Sequence, residues 1–262
     1  MTATQGDARV SWIPNQHGAW AFLVMPWLLG SLGAGLTQPS LLLLVAWLAG
    51  YCASFFFGRW WVTAARRQRR RRAVAIRGGV YTAVMILAGV PLLLWEPWLL
   101  WMAIPGSVVL VGSQWLTAHG RERGISNDLL LILAAAAMLP VAYWVALGGG
   151  GSAPPGGWWP WPTGLIWATL SCAAFMVGSV LHVKSLIRER KDRRWRWASL
   201  VVNSSIPLIG VAAASPALAL GLLPSAVRAW AMSPQQAWKP GRIGAVESVA
   251  ALAATAGILL AW

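Results

Sequence analysis

Nine apolar stretches, joined by connections of which only every second one is basic, constrain this chain to thread back and forth across a lipid bilayer. The stretches run over 18–36, 40–57, 78–95, 98–116, 129–147, 163–181, 198–214, 216–232 and 244–262. A bilayer core about 30 Å thick takes about 20 mostly apolar residues to cross as a helix, with about 17 as the lower end, so each stretch is long enough or nearly so. Only helices or closed barrels satisfy their backbone polar groups in lipid, and runs of this length point to helices. The expected fold is therefore all-α, a polytopic transmembrane helical bundle of about nine spans. The alternative is eight, with Pro216 as a kink inside one bent segment, because no polar loop separates Ala214 from it.

Between the second and third stretches lie Arg59, Arg66, Arg67, Arg69, Arg70, Arg71, Arg72 and Arg77. Between the sixth and seventh lie Lys184, Arg188, Arg190, Lys191, Arg193, Arg194 and Arg196, while Arg121 and Arg123 follow the fourth and Lys239 and Arg242 follow the eighth. The alternate connections, around Gln38, Glu96, 148–160 and Ser215, carry no lysine or arginine. Excess basic charge stays on the cytoplasmic side, which sets the N-terminus inside and, with nine spans, the C-terminus outside. Arg228, the one cation within a stretch, is expected to snorkel to the nearby interface.

The net charge of +14 would suit a nucleic-acid binder, but its confinement to short loops beside apolar segments argues for orientation in the membrane and against nucleic acid. With 58% hydrophobic and only 11% charged residues, the composition excludes an ordinary soluble domain. Residues 1–14 read as a short polar cytoplasmic segment and 15–262 as a single multi-pass membrane domain. Its outside loop over 148–160 is glycine-rich and flexible, then anchored by Trp158, Trp159 and Trp161. Pro26, Pro91, Pro105, Pro140, Pro207 and Pro224 read as kinks within spans, and Cys52 and Cys172 as small packing residues without metal-ligand spacing.

Candidate chemistry gathers at the cytoplasmic ends of the spans. Asn15, Gln16 and His17 open the first; Arg59, Thr63, Arg66, Arg67 and Arg70 follow the second at helical spacing, a face that suits phosphate because guanidinium groups bind it bidentately. The same arginines also serve as plain topology anchors attracted to anionic lipid. If the sixth helix continues past the membrane surface, His182, Ser185, Glu189 and Asp192 share one face, and Lys184, Arg188 and Lys191 another. Glu189 and Asp192 would then hold Mg²⁺ with a phosphate, or simply pair with the surrounding cations. Ser126, Asn127 and Asp128 stand where a helix cap is expected, Glu122 sits between Arg121 and Arg123, and Glu247 is the one acid at membrane depth. His119 and His182, each followed by a charged run, form a weak internal echo.

Asn15-Gln-His-Gly-Ala-Trp, the arginine run after the second stretch, and Ser179-Val-Leu-His-Val-Lys-Ser-Leu-Ile-Arg-Glu-Arg together resemble the YwiC-like family of bacterial membrane proteins. That resemblance implies the membrane class and no particular reaction. A more distant similarity is to the UbiA superfamily of intramembrane prenyltransferases, which have nine helices and two aspartate-rich cytoplasmic motifs, after the second and sixth. It implies a transferase acting on an isoprenoid or other anionic lipid with Mg²⁺. In that case Glu122, Asp128, His182, Glu189 and Asp192 carry metal or proton chemistry, and Asn15, Gln16, His17, Arg59, Arg66, Arg67, Lys184 and Arg188 bind substrate. The first motif here is arginine and not aspartate, and the second offers Glu189 and Asp192 in place of two aspartates four apart. The other function classes left by the sequence are a small-solute transporter and a membrane structural or assembly protein without chemistry.

Overall fold

The computed structural model of the chain describes residues 11–14, 17–63, 67–157 and 160–262. Ten helical segments make up these residues: α1 (His17–Ala34), α2 (Gln38–Val62), α3 (Gln68–Trp95), α4 (Leu99–Ala118), α5 (Ile125–Leu147), α6 (Thr163–Leu186), α7 (Arg193–Ser205), α8 (Leu208–Ala212), α9 (Pro216–Ala231) and α10 (Pro240–Leu260). Six of them, α2 to α6 and α10, are long and apolar enough to cross a membrane on their own. The corresponding run of α1 is the shorter Trp20–Ala34, and α9 has 16 residues. The expected helix over 198–214 is split into α7 and α8, so Pro207 marks a break and not a kink. Pro26, Pro91, Pro105, Pro140 and Pro224 do lie inside helices.

Neighbouring segments alternate in direction. Across α2 and α3, Gly50 receives Met85 and Gly78 receives Phe57; across α4 and α5, Gly112 receives Leu130 and Ser113 donates to Asn127. Both pairs are antiparallel, as are α6 with α7 and α9 with α10. The connections α2–α3, α4–α5, α6–α7 and α9–α10 therefore gather at one end of the bundle, which brings all the basic loops together. Among the described residues, helix α1 runs parallel to α5 at close range: a Cβ on Gly30 would come within 2.1 Å of the Leu139 carbonyl oxygen, so only glycine fits there.

Helix α5 is the axis of the core, with Ala135, Ala136, Met138, Leu139, Val141, Ala142 and Val145 all buried. Helix α6 lines it with Leu165, Cys172, Phe175 and Met176. By contrast α4 buries only Leu99 and Leu116 and turns Leu100, Trp101, Ile104, Val108 and Val111 outward. An apolar face of that extent is unsustainable in water and natural in lipid.

Pro216 does not kink one bent helix. Ala214 adopts a left-handed φ of 52°, Ser215 caps α9 by accepting from Leu218 N–H at 3.3 Å, and Pro216 takes the first turn, where its missing N–H costs nothing. The chain turns back so tightly that a Cβ on Gly210 of α8 would lie 2.2 Å from the Ala219 nitrogen. Helices α7, α8 and α9 form a hairpin.

The basic loops also differ from the expected continuous helices. Helix α2 stops at Val62, where Thr63 turns its backbone N–H and its hydroxyl onto the Arg59 carbonyl, and α3 starts afresh at Gln68. Arg59, Thr63, Arg67 and Arg70 consequently share no single helical face. Likewise α6 ends at Leu186, with the N–H groups of Arg188 and Glu189 both closing on the Lys184 carbonyl, so Glu189 and Asp192 do not continue the face of His182. Helix α5 begins earlier than expected, with Gly124 at its cap position, so Ser126, Asn127 and Asp128 lie within its first turn instead of capping it.

Candidate functional site

Four helices bring polar side chains to one buried point near the basic end. Ser179 and His182 stand one turn apart on α6, Asn203 faces them from α7, Arg228 from α9 and Glu247 from α10. Arg228 is only 3% exposed and its Nη1 lies 2.5 Å from Glu247 Oε2, the same oxygen that accepts from the Ser179 hydroxyl. Arg228 Nη2 also donates to Asn203 Oδ1 at 3.4 Å, and its guanidinium sits 5.0 Å over the Phe175 ring. Asn203 is held by donating to the carbonyls of Gly178 (3.0 Å) and Ser199 (2.8 Å). A Cβ on Gly178 would meet Asn203 Oδ1 at 2.7 Å and Ile206 Cδ1 at 2.6 Å, so the glycine is what lets α7 approach.

The cluster is incompletely satisfied. Among the described residues, Glu247 Oε1, Arg228 Nε and both ring nitrogens of the fully buried His182 have no hydrogen-bond partner. His182 Nε2 and Glu247 Oε1 face each other at 3.9 Å, too far for a hydrogen bond. Buried charges persist in membrane segments only when paired, and unsatisfied ones at such depth mark functional positions.

An open groove of about 560 Å³ between α9 and α10 leads to this point. Its walls are mostly apolar, from Pro224, Val227, Ala231, Val246, Val249 and Ala250. Arg228, Trp238 and Arg242 line it as well, with the Arg242 guanidinium 4.7 Å over the Trp238 ring. Volumes of about 300–1,000 Å³ suit small ligands. Arg228 is thus buried and shared between an acid and a groove, where the sequence alone suggested snorkelling.

Of the residues singled out from the sequence, His182 and Glu247 meet in this cluster, and the others lie elsewhere. Asp128 Oδ2 and Lys184 Nζ meet at 2.6 Å, and Lys184 also donates to the Arg123 carbonyl at 2.8 Å, tying α5 to α6. Glu122 pairs with Arg123 at 3.5 Å near the surface, and its carbonyl accepts from Asn127. Asp192 caps α7 by accepting from Arg194 N–H, and Arg188 is exposed. Arg59 leans over Phe55 and Arg67 is exposed. His17 opens α1, whereas Asn15, Gln16 and Arg66 lie outside the described residues. His119 is exposed against Trp115, so it does not repeat the environment of His182.

Among the described residues no three of His, Cys, Asp and Glu come together as a metal-holding group. Asp192 is engaged as a helix cap in a surface turn.

A multi-helix, multi-pass membrane protein with a charge cluster buried near its basic end is the class that these features define. The chain belongs to the YwiC-like protein family, whose model matches residues 13–143. The uncharacterized protein YwiC of Bacillus subtilis (strain 168) is 27% identical over 248 residues, covering 90% of this chain and 92% of its own. An uncharacterized protein of Haemophilus influenzae is 27% identical over 217 residues, covering 83% and 84%. No solved structure matches the chain.

Proposed function

We propose that this protein recognises an anionic amphiphile, a lipid bearing a phosphate or similar headgroup, at the cytoplasmic face of the bacterial cytoplasmic membrane. The observation that carries this reading is the α9–α10 groove, apolar along its walls and lined by Arg228 and Arg242. An acyl or isoprenoid chain suits the walls, and a guanidinium pair suits a phosphate. The site moves from the arginines of the α2–α3 connection to those of α9 and α10. A reaction is not part of the proposal, since Asp192 is engaged as the cap of α7 and no group of three His, Cys, Asp or Glu forms among the described residues.

Nine crossings fit this reading. A Cβ on Gly257 would meet the Ala217 carbonyl oxygen at 2.8 Å, so the turn before Pro216 lies level with the far end of α10. The two short arms, α7 with α8 and then α9, span the depth of a helix long enough to cross alone. The positive-inside rule sets the basic end, and with it the groove, on the cytoplasmic side.

Lipids co-purifying in mild detergent, compared between the native chain and Arg242→Gln, test the proposal. Arg242 is exposed, so its loss should leave the fold intact. Anionic lipid enriched on the native chain and depleted on the variant is expected; the same lipid profile on both would overturn the proposal. One observation favours a second reading, small-solute transport: His182, Arg228 and Glu247 supply ionisable groups at membrane depth. Solute flux in liposomes containing the protein, absent from empty ones, would support it.

A further inference from the structure

We infer that an anion arriving at Arg228 draws a proton into the bundle, and that His182, facing Glu247, is where this proton rests. The inference rests on the anion-recognition reading of the α9–α10 groove and specifies how that site responds to its ligand.

In the empty site Arg228 and Glu247 form an ion pair, which leaves no charge for His182 to offset. An anionic headgroup that takes Arg228 as its partner brings one negative charge into the cluster and withdraws the cation from Glu247. The site is then one positive charge short, in surroundings where an uncompensated ion is strongly disfavoured. Arg228 is shared between the groove and the acid, so this competition is built into the geometry.

Charged groups bear on His182 from three of the helices packed against α6. Arg228 on α9 and Arg196 on α7, both positive, act on it electrostatically, and Glu247 faces it from α10. Arg196 donates to the Met232 carbonyl at 2.9 Å, and Lys184 on α6 itself is turned away to Asp128. A bound anion would neutralise the Arg228 guanidinium and free the Glu247 carboxylate that faces the ring, and both changes favour a proton there. The acceptor capacity is already present, since neither ring nitrogen of His182 has a hydrogen-bond partner among the described residues and Glu247 Oε1 stands 3.9 Å away without one. The balance closes: arginine with ligand, imidazolium with glutamate, and one proton given up by the buffer acid for each anion bound.

Isothermal titration of the full chain in a neutral detergent with dihexanoyl-phosphatidylglycerol measures this directly. Its phosphodiester does not titrate near neutral pH, so any proton exchanged belongs to the protein. Run at one pH in two buffers of widely different ionisation enthalpy, the binding heats should differ by the amount due to uptake of about one proton per phosphodiester. Equal heats in the two buffers would overturn the coupling and leave anion recognition standing. No binding heat in either buffer would overturn both. His182→Gln should bind with buffer-independent heat; uptake that persists in this variant would overturn His182 as the proton's seat. The native titration needs no variant, so the inference stays open to refutation even if His182→Gln does not fold.

Discussion

Removing Glu247 alone should destabilise the protein far more than removing Glu247 and Arg228 together. In Glu247→Leu the Arg228 guanidinium keeps its charge with a side chain 2% exposed, so water replaces little of the lost carboxylate. Its remaining partners are Asn203 Oδ1 at 3.4 Å and the Phe175 ring, neither of which carries a charge. Breaking a buried pair on one side costs about 3–5 kcal/mol, and the Coulomb attraction of two charges 4 Å apart at an effective dielectric of about 20, about 4 kcal/mol, agrees with that. For a chain of this length such a loss lowers the midpoint of thermal unfolding by about 10 °C. The double variant Arg228→Met with Glu247→Leu removes both charges and fills the space with apolar groups of similar size. Replacements of this kind are neutral or stabilising, so it should unfold near the native temperature. Intrinsic fluorescence reads the transition in detergent, helped by 20 tryptophans. A single variant as stable as the native protein, or a double variant as weak as the single, would refute the idea that these charges are buried against each other.

Three further expectations follow from the packing and the topology. Gly221→Val should loosen the α9–α10 contact, because even a Cβ there would lie 2.5 Å from Gly257 Cα and the helices would have to part by about 1 Å to reach ordinary contact; Gly106→Val, with open space around it, should leave the melting temperature unchanged. Lys184→Met should cost about 2 kcal/mol by leaving Asp128 unpaired, less than at Glu247 because the charge left behind is more exposed, 22% for Asp128 against 2% for Arg228; stability equal to the native protein would exclude a structural role for that pair. A membrane-impermeant thiol reagent should label Ser152→Cys in intact cells and Gln235→Cys only after the membrane is opened, since the two native cysteines are buried; the reverse pattern would invert the orientation.

Hydropathy is a local property, and so the six long helices were readable from it. The stretches 40–57, 78–95, 98–116, 129–147, 163–181 and 244–262 fall on α2, α3, α4, α5, α6 and α10. What local reading misses depends on neighbours. Proline is tolerated inside helices at positions 26, 91, 105, 140 and 224, yet the chain breaks at 207, where α8 must fold against α9 with Gly210 almost touching Ala219. The same holds for the charge cluster. Arg228 lies three residues from the end of α9, close enough to an interface for snorkelling to satisfy it in isolation. Its burial is decided by a contact elsewhere, at Gly221 and Gly257, which draws α10 so near that Glu247 becomes the closer partner. The signal that points to such a site is therefore not one charged residue but two of opposite sign, in different apolar stretches and at similar depth from the same end, since either alone would be costly there. Arg228 with Glu247 meets that condition, whereas Lys184 with Asp128, just beyond the ends of their stretches, pairs closer to the surface.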